Sequence, residues 1–90
     1  MNVILTYDLS GSNGPVKSTM IANGYSKTFI SNGNIINLPE TTLFHPHKTP
    51  SQALIDIQNS ARNHGVRVTR AIATELFGTI WDALPGEVLR

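Results

Sequence analysis

The chain has 90 residues, contains no cysteine, and carries a formal net charge of +1. A chain of that length predicts a single domain over residues 1–90, with a modest hydrophobic core. The absence of cysteine excludes disulfides, thiolate zinc sites and a cysteine nucleophile, and it suits a reducing cytoplasm. No apolar run approaches the roughly 20 residues that cross a bilayer, so we expect a cytoplasmic protein with no membrane partner.

Acidic and basic side chains are unevenly distributed along the chain. Residues 1–74 hold six lysines and arginines against three carboxylates, a balance of +3, whereas residues 75–90 hold one arginine against three carboxylates, a balance of −2. A mildly basic body is compatible with contact to nucleic acid. An ordinary solvated surface is the alternative explanation of the same charges.

The most apolar stretch is Asn2–Leu9 (NVILTYDL), which predicts the central strand of a sheet. Its β-branched and aromatic residues favour a strand over a short helix. The polar, glycine-rich segment 10–15 (SGSNGP) follows and predicts a loop. Asp8 therefore lies where the central strand enters a loop, a place at which rigid folds often present functional groups.

Capping and turn signals predict the other elements. Asn32-Gly33 favours a type I′ turn and Pro39 interrupts the chain, so residues 25–45 predict either two strands joined by an irregular hairpin or three very short strands. The remaining predicted elements are a helix from Pro15 to Asn23, a helix from Pro50 to His64, a strand from Val66 to Thr74, and an apolar tail from Glu75 to Arg90.

The second helix and the last strand also predict which side chains are buried. Thr49 and Gln52 form a capping box around Pro50. The 3.6-residue period predicts a buried stripe of Ala53, Leu54, Ile57 and Ala61. In the last strand, strict alternation places Val66, Val68, Arg70 and Ile72 on one side, opposite Arg67, Thr69, Ala71 and Ala73.

The order β-α-β-β-α-β predicts an α+β, ferredoxin-like sandwich, in which a four-stranded antiparallel sheet carries both helices on one face. The other face then needs a partner, a ligand or polar side chains. The apolar tail predicts a homodimer in which the tail crosses or flanks the partner's sheet, because its large side chains would otherwise be exposed. These side chains are Leu76, Phe77, Ile80, Trp81 and Leu84.

The segment 3–10 (VILTYDLS), followed by a helix and by segment 38–44 (LPETTLF), resembles the Cas-two family of small CRISPR-associated proteins, with its VapD and SinR-like relatives. The resemblance implies a ferredoxin-like protomer, usually a homodimer, that handles RNA or DNA. It further implies that Asp8 binds a divalent metal such as Mg²⁺ and is the catalytic residue of an endoribonuclease, a metal-dependent phosphodiesterase. The first helix carries only Lys17, where family members usually have several arginines.

Other interpretations of these residues remain open. Asp8 can instead accept hydrogen bonds from the amides of residues 10–14 in an Asx-type turn. His45, His47 and His64 suggest zinc, although solvent-exposed loop histidines explain them better. Lys17, Arg67 and Arg70 are the best candidates for contacts with a nucleic-acid backbone. The predicted function is nucleic-acid handling, by a nuclease or by a non-catalytic scaffold, and the alternative is a protein-interaction module without catalytic activity.

Overall fold

The computed structural model describes residues 1–78 and 81–88. Ile80, which the tail prediction includes, lies outside the described residues. Residues 25–45 hold three short strands, so the second of the two predicted arrangements is confirmed. The elements in chain order are β1 (Val3–Leu9), α1 (Asn13–Ala22), β2 (Thr28–Ser31), β3 (Asn34–Asn37), β4 (Thr42–His45), α2 (Pro50–Asn63) and β5 (Val68–Glu75).

The strands form two antiparallel sheets instead of one four-stranded sheet. β1 lies at the centre of the first, between β4 and β5, and β2 pairs with β3 in the second. In place of the expected fourth strand, a single antiparallel bridge joins Ser26 to Phe44 of β4. Beyond it the chain turns to pair with β3 through the Asn32–Gly33 turn, where φ is 49° and 79° as a type I′ turn requires. The architecture is α+β and is compatible with a ferredoxin-like fold.

The main core lies between the three-stranded sheet and the two helices. Val3, Leu5 and Tyr7 alternate along β1 and point to the helices, as the period of a strand requires. The residues that complete this core are Val16, Met20, Tyr25, Leu43, Ala53 and Ile57. The intervening residues of β1, Ile4, Thr6 and Asp8, lie on the opposite side, which we call the open face.

The capping box of α2 is confirmed. The Thr49 hydroxyl accepts a hydrogen bond from the Gln52 amide at 3.1 Å, and the Gln52 side chain accepts one from the Thr49 amide at 2.8 Å. The buried stripe differs from the prediction at two positions, because Leu54 is only partly buried and Ser60 is buried. The Ser60 hydroxyl donates to the Met20 sulfur at 3.1 Å, which accommodates a polar group where α1 packs on α2.

A β-bulge overturns the predicted alternation in β5. Val68 lies opposite Leu9 and Arg70 lies opposite Asp8, so Thr69 has no residue facing it on β1. One extra residue exchanges the two faces of the strand beyond it. Val68 therefore packs against the main core, whereas Arg70 and Ile72 lie on the open face, and Ile72 is 65% exposed.

A second, smaller core forms where the β2–β3 hairpin and the tail cover part of the open face. Phe29, Ile36 and Leu38 are buried there, with Ile4, Phe44, Leu76 and Trp81 packed against them. The Trp81 ring meets the Phe29 ring edge-on at 5.3 Å, and the Asn37 amide donates to the Pro85 carbonyl at 2.8 Å. Leu76 and Trp81, which we expected to contact a partner, contact the hairpin of their own chain. Leu84 remains 85% exposed.

Candidate functional site

Asp8 lies on the open face, paired with Arg70 of β5. An Asp8 carboxylate oxygen is 2.8 Å from an Arg70 guanidinium nitrogen. The register that sets Asp8 opposite Arg70 brings the two side chains together, and the bulge at Thr69 is what directs Arg70 to this face. The pair lines an open recess of about 230 Å³ with Thr6, Tyr7, Ala71 and Ile72. Two of the predicted site residues are thus neighbours.

The loop after β1 is held against β5 by its backbone. The Ser10 amide donates to the Arg67 carbonyl at 2.9 Å, and the Ser10 hydroxyl accepts from the Arg67 amide at 3.0 Å. Among the hydrogen bonds of the described residues, none joins the Asp8 carboxylate to an amide of residues 10–14. The structure therefore gives no support to the Asx-turn interpretation, because the partner of Asp8 is Arg70.

Lys17 forms a hydrogen bond on the other side of that loop. Its ammonium donates to the Glu40 carbonyl at 2.8 Å. The Tyr7 hydroxyl donates to the Asn13 side-chain oxygen at 2.7 Å, and burial raises the pKa of Tyr7 to about 12, so the phenol keeps its proton. Lys17 thus joins α1 to the segment before β4, whereas Arg67 and Arg70 lie on the β5 side.

Arg67 lines a second recess together with Arg62, which the sequence did not single out. Arg62, in the last turn of α2, and Arg67, just before β5, border an open cleft of about 230 Å³, which we call the arginine cleft. Its other lining residues are Gln58, Val66 and Val68. Both arginines are exposed, and neither forms a salt bridge within the part of the chain that the structure describes. The signal in the sequence was the turn at Gly65, where φ is 71°, because a reversal there returns the chain beside the end of α2.

The histidines do not form a shared site. His45 is buried, its ring nitrogen Nδ1 accepts the His47 amide at 2.9 Å, and burial lowers its pKa. The expectation of exposed loop histidines is therefore wrong for His45. His64 is 2.7 Å from the Thr19 hydroxyl. Over residues 1–78 and 81–88, no group of three histidine, cysteine or carboxylate side chains is placed to hold a metal ion.

The Asp8 recess supplies a single carboxylate for the magnesium ion that the family resemblance implies. Mg²⁺ is usually held by one or two carboxylates together with water and substrate phosphates. Asp8 is the only acidic residue lining the recess, and its carboxylate already faces a guanidinium. Within residues 1–78 and 81–88, the side chains of one chain therefore do not form a metal cage, and magnesium binding stays a prediction.

The Asp8–Arg70 pair should contribute little to stability. The side chains are 46% and 83% exposed respectively, and ion pairs this exposed are screened by water. We expect Asp8→Asn and Arg70→Ala each to change the free energy of unfolding by less than about 1 kcal/mol, with a coupling of similar size in the double mutant. Urea denaturation measures all three values. A loss well above 1 kcal/mol from Asp8→Asn alone would contradict this assignment and favour a role in the turn.

Comparison with protein families, curated proteins and solved structures found no match to this chain. Neither helix in the described part of the chain has the length and hydropathy that crossing a bilayer demands. A functional interpretation therefore rests on the geometry of the two recesses and the charges around them.

Proposed function

We propose that the protein binds the phosphate backbone of RNA or DNA through the arginine cleft, as a non-catalytic scaffold. The observation that supports this most directly is the pairing of Arg62 and Arg67 across one open cleft. A guanidinium presents a planar fork of donors that matches phosphate oxygens, and two such groups around one cleft suit consecutive phosphates of a strand.

The charges around the cleft favour an anionic ligand. Arg62, Arg67 and Arg70 all lie near the end of the sheet where β1 leaves and β5 begins. Asp8 is already paired with Arg70, and no acidic residue lines the arginine cleft. A phosphate that approaches the cleft thus meets a local excess of positive charge, although the whole chain carries only +1.

The Cas-two-like assignment adds a ferredoxin-like protomer, a homodimer, a CRISPR association and a cytoplasmic location to this proposal. The antiparallel pairing of β1 with β4 and β5, and the packing of both helices on one side of β1, support the ferredoxin-like part. The magnesium-dependent nuclease activity of Asp8 stays a prediction. It is a separate hypothesis, because backbone binding by the arginine cleft does not require it.

The proposal is tested by the binding of a short fluorescent single-stranded oligonucleotide at several salt concentrations. We expect the double variant Arg62→Ala/Arg67→Ala to bind at least about tenfold more weakly than the wild type. The slope of log K against log salt should become less steep by about 1.4, since each phosphate contact contributes about 0.7 for a single strand. Each lost arginine removes one phosphate contact and the counterion release that accompanies it.

Lys27→Ala is the matched control for the single variant Arg67→Ala. Both remove one exposed positive charge, but Lys27 lies at the start of the hairpin, outside the cleft. Equal effects of the two single variants, or wild-type binding that does not depend on salt, would contradict the proposal. The same samples with added Mg²⁺ test the nuclease hypothesis. If the wild type cleaves the oligonucleotide, and Asp8→Asn abolishes cleavage but not binding, the protein is a nuclease and not a non-catalytic scaffold.

A protein-interaction module is the second candidate, and the hairpin favours it. Ile30 and Ile35 lie opposite each other on β2 and β3 and are 74% and 61% exposed. Contiguous exposed apolar side chains are typical of contact surfaces. This candidate predicts that the substitutions in the arginine cleft leave the main interaction unchanged, whereas Ile30→Ser weakens it.

A further inference from the structure

The hydrogen bonds of β1 determine which backbone groups of β5 lack a strand partner. The Leu76 amide donates to the Asn2 carbonyl at 3.0 Å, so the pair Asn2–Leu76 is of the hydrogen-bonded kind. Hydrogen-bonded and non-hydrogen-bonded pairs alternate along an antiparallel ladder. Thr74, Ile72 and Arg70 therefore also direct their backbone N–H and C=O groups to β1. The backbone N–H and C=O groups of the intervening residues Ala71, Ala73 and Glu75 therefore point away from the sheet, along its outer edge.

This outer edge of β5 lacks the usual protection. Proteins usually prevent an exposed strand edge from pairing with another chain by means of lysine, proline, short strands or bulges. β5 is eight residues long, and its segment 71–74 (AIAT) contains neither charge nor proline. Its bulge lies at the other end, between Val68 and Arg70.

The other described edges are covered or short. On β4, Phe44 exchanges two backbone hydrogen bonds with Ser26, each of 2.8 Å. On β3, the Asn37 amide is bonded to Pro85 of the tail. On β2, the Thr28 amide donates to the Ser26 hydroxyl at 3.2 Å, and both hairpin strands are only four residues long. Within residues 1–78 and 81–88, β5 is therefore the long edge that remains without a partner.

We infer that β5 pairs with β5 of a second copy of this chain, antiparallel about a two-fold axis at Ala73. This register is the one in which all three outward-facing residues find partners, Ala73 with Ala73 of the second copy and Ala71 with Glu75 in both directions. It sets Ile72 opposite Thr74 of the second copy, on the open face, and it places no like charges opposite each other. The occupant is a second copy because the edge complements itself. The other described edges are covered or short, which limits the assembly to two chains.

The inference goes beyond the proposed binding of nucleic acid and does not depend on it. Thr74 of the second copy then lies beside Ile72, at the rim of the recess that Asp8 and Arg70 line. The two three-stranded sheets become one of six strands. From the strand spacing and rise, the two Asp8 side chains lie roughly 24 Å apart, so this dimer does not unite them in one metal site.

Two charge variants of the full chain test the pairing and distinguish an axis at Ala73 from one at Thr74. In Ile72→Lys/Thr74→Lys, each lysine faces a lysine of the other copy, whereas in Ile72→Lys/Thr74→Glu each lysine faces a glutamate. Both positions are exposed, so both variants should fold, which circular dichroism checks. We expect a wild-type dimer by sedimentation velocity at micromolar concentration, with the dissociation constant at least about tenfold higher in the lysine–lysine variant than in the lysine–glutamate variant.

Amide hydrogen exchange of the wild type is an independent measurement. We expect the amides of Ala71, Ala73 and Glu75 to exchange more slowly at high protein concentration than at low concentration, because pairing between copies protects them. A monomeric wild type would overturn the inference. Equal dissociation constants of the two charge variants would also overturn it, because an axis at Thr74 sets position 74 opposite itself and gives repulsion between like charges in both variants. A weaker dimer in the lysine–glutamate variant would overturn it as well.

Discussion

Leu5→Ala should lower the free energy of unfolding by about 2–5 kcal/mol, measured by urea denaturation. Leu5 is fully buried at the middle of the central strand. It is flanked by Leu43 on β4 and Ala73 on β5, and the helices cover it. Truncation removes apolar contacts on every side and leaves a cavity, because strands that are hydrogen-bonded on both edges cannot move inward to fill it.

Ile35→Ala is the control for Leu5→Ala. It removes a side chain of similar size from β3, but Ile35 is 61% exposed, so we expect a loss of less than about 0.5 kcal/mol. Comparable losses from the two substitutions would mean that Leu5 is not at the centre of the core.

Gly24→Ala should also be strongly destabilising, by about 1–3 kcal/mol from the backbone alone. Gly24 has φ of 93°, a conformation that side chains disfavour. An added Cβ would also lie 2.9 Å from the Nε2 atom of His45, which is itself buried and packed edge-on against Tyr25. Because that imidazole has little room to move, the close contact adds to the conformational cost. Thermal or urea unfolding measures the sum.

Gly65→Ala separates the two costs. Gly65 also has a positive φ, of 71°, but nothing lies within 4 Å of its added Cβ. We therefore expect a smaller loss for Gly65→Ala than for Gly24→Ala. In a His45→Ala background, which lacks the ring that the new methyl group meets, the free-energy cost of adding Gly24→Ala should fall toward the cost of Gly65→Ala. A Gly24→Ala variant as stable as the wild type would contradict the close approach of residue 24 to His45.

Part of the site was predictable from the sequence, and the missing part depended on one inserted residue. The position of Asp8 at the end of a central strand followed from the apolar run and the glycine-rich loop behind it. Its pairing with Arg70 did not, because strict alternation set Arg70 on the same side as Val68. A bulge depends on the fit between two strands, and the sequence of one strand carries no local signal for it.

The arginine cleft was likewise only partly predictable from the sequence. The sequence pointed to Arg67 through its charge, but it did not single out Arg62. Their shared cleft exists because the turn at Gly65 returns the chain along the flank of α2. Lys17 met the same charge criterion, but its ammonium is bonded to the Glu40 carbonyl. Charge is a property of the residue, whereas the neighbours that neutralise or reinforce it come from distant parts of the chain.

The sequence by itself determined the elements whose signals are local. The capping box of Thr49 and Gln52, the turn at Asn32–Gly33 and the apolar period of β1 each depend on residues within a few positions of one another. Only the tertiary structure decided that the hairpin leaves the main sheet, that Thr69 reverses the faces of β5, and that Trp81 of the tail packs on Phe29. These outcomes depend on which separated segments bury the most apolar surface together while satisfying their backbone hydrogen bonds, and that competition is settled only when the whole chain is folded.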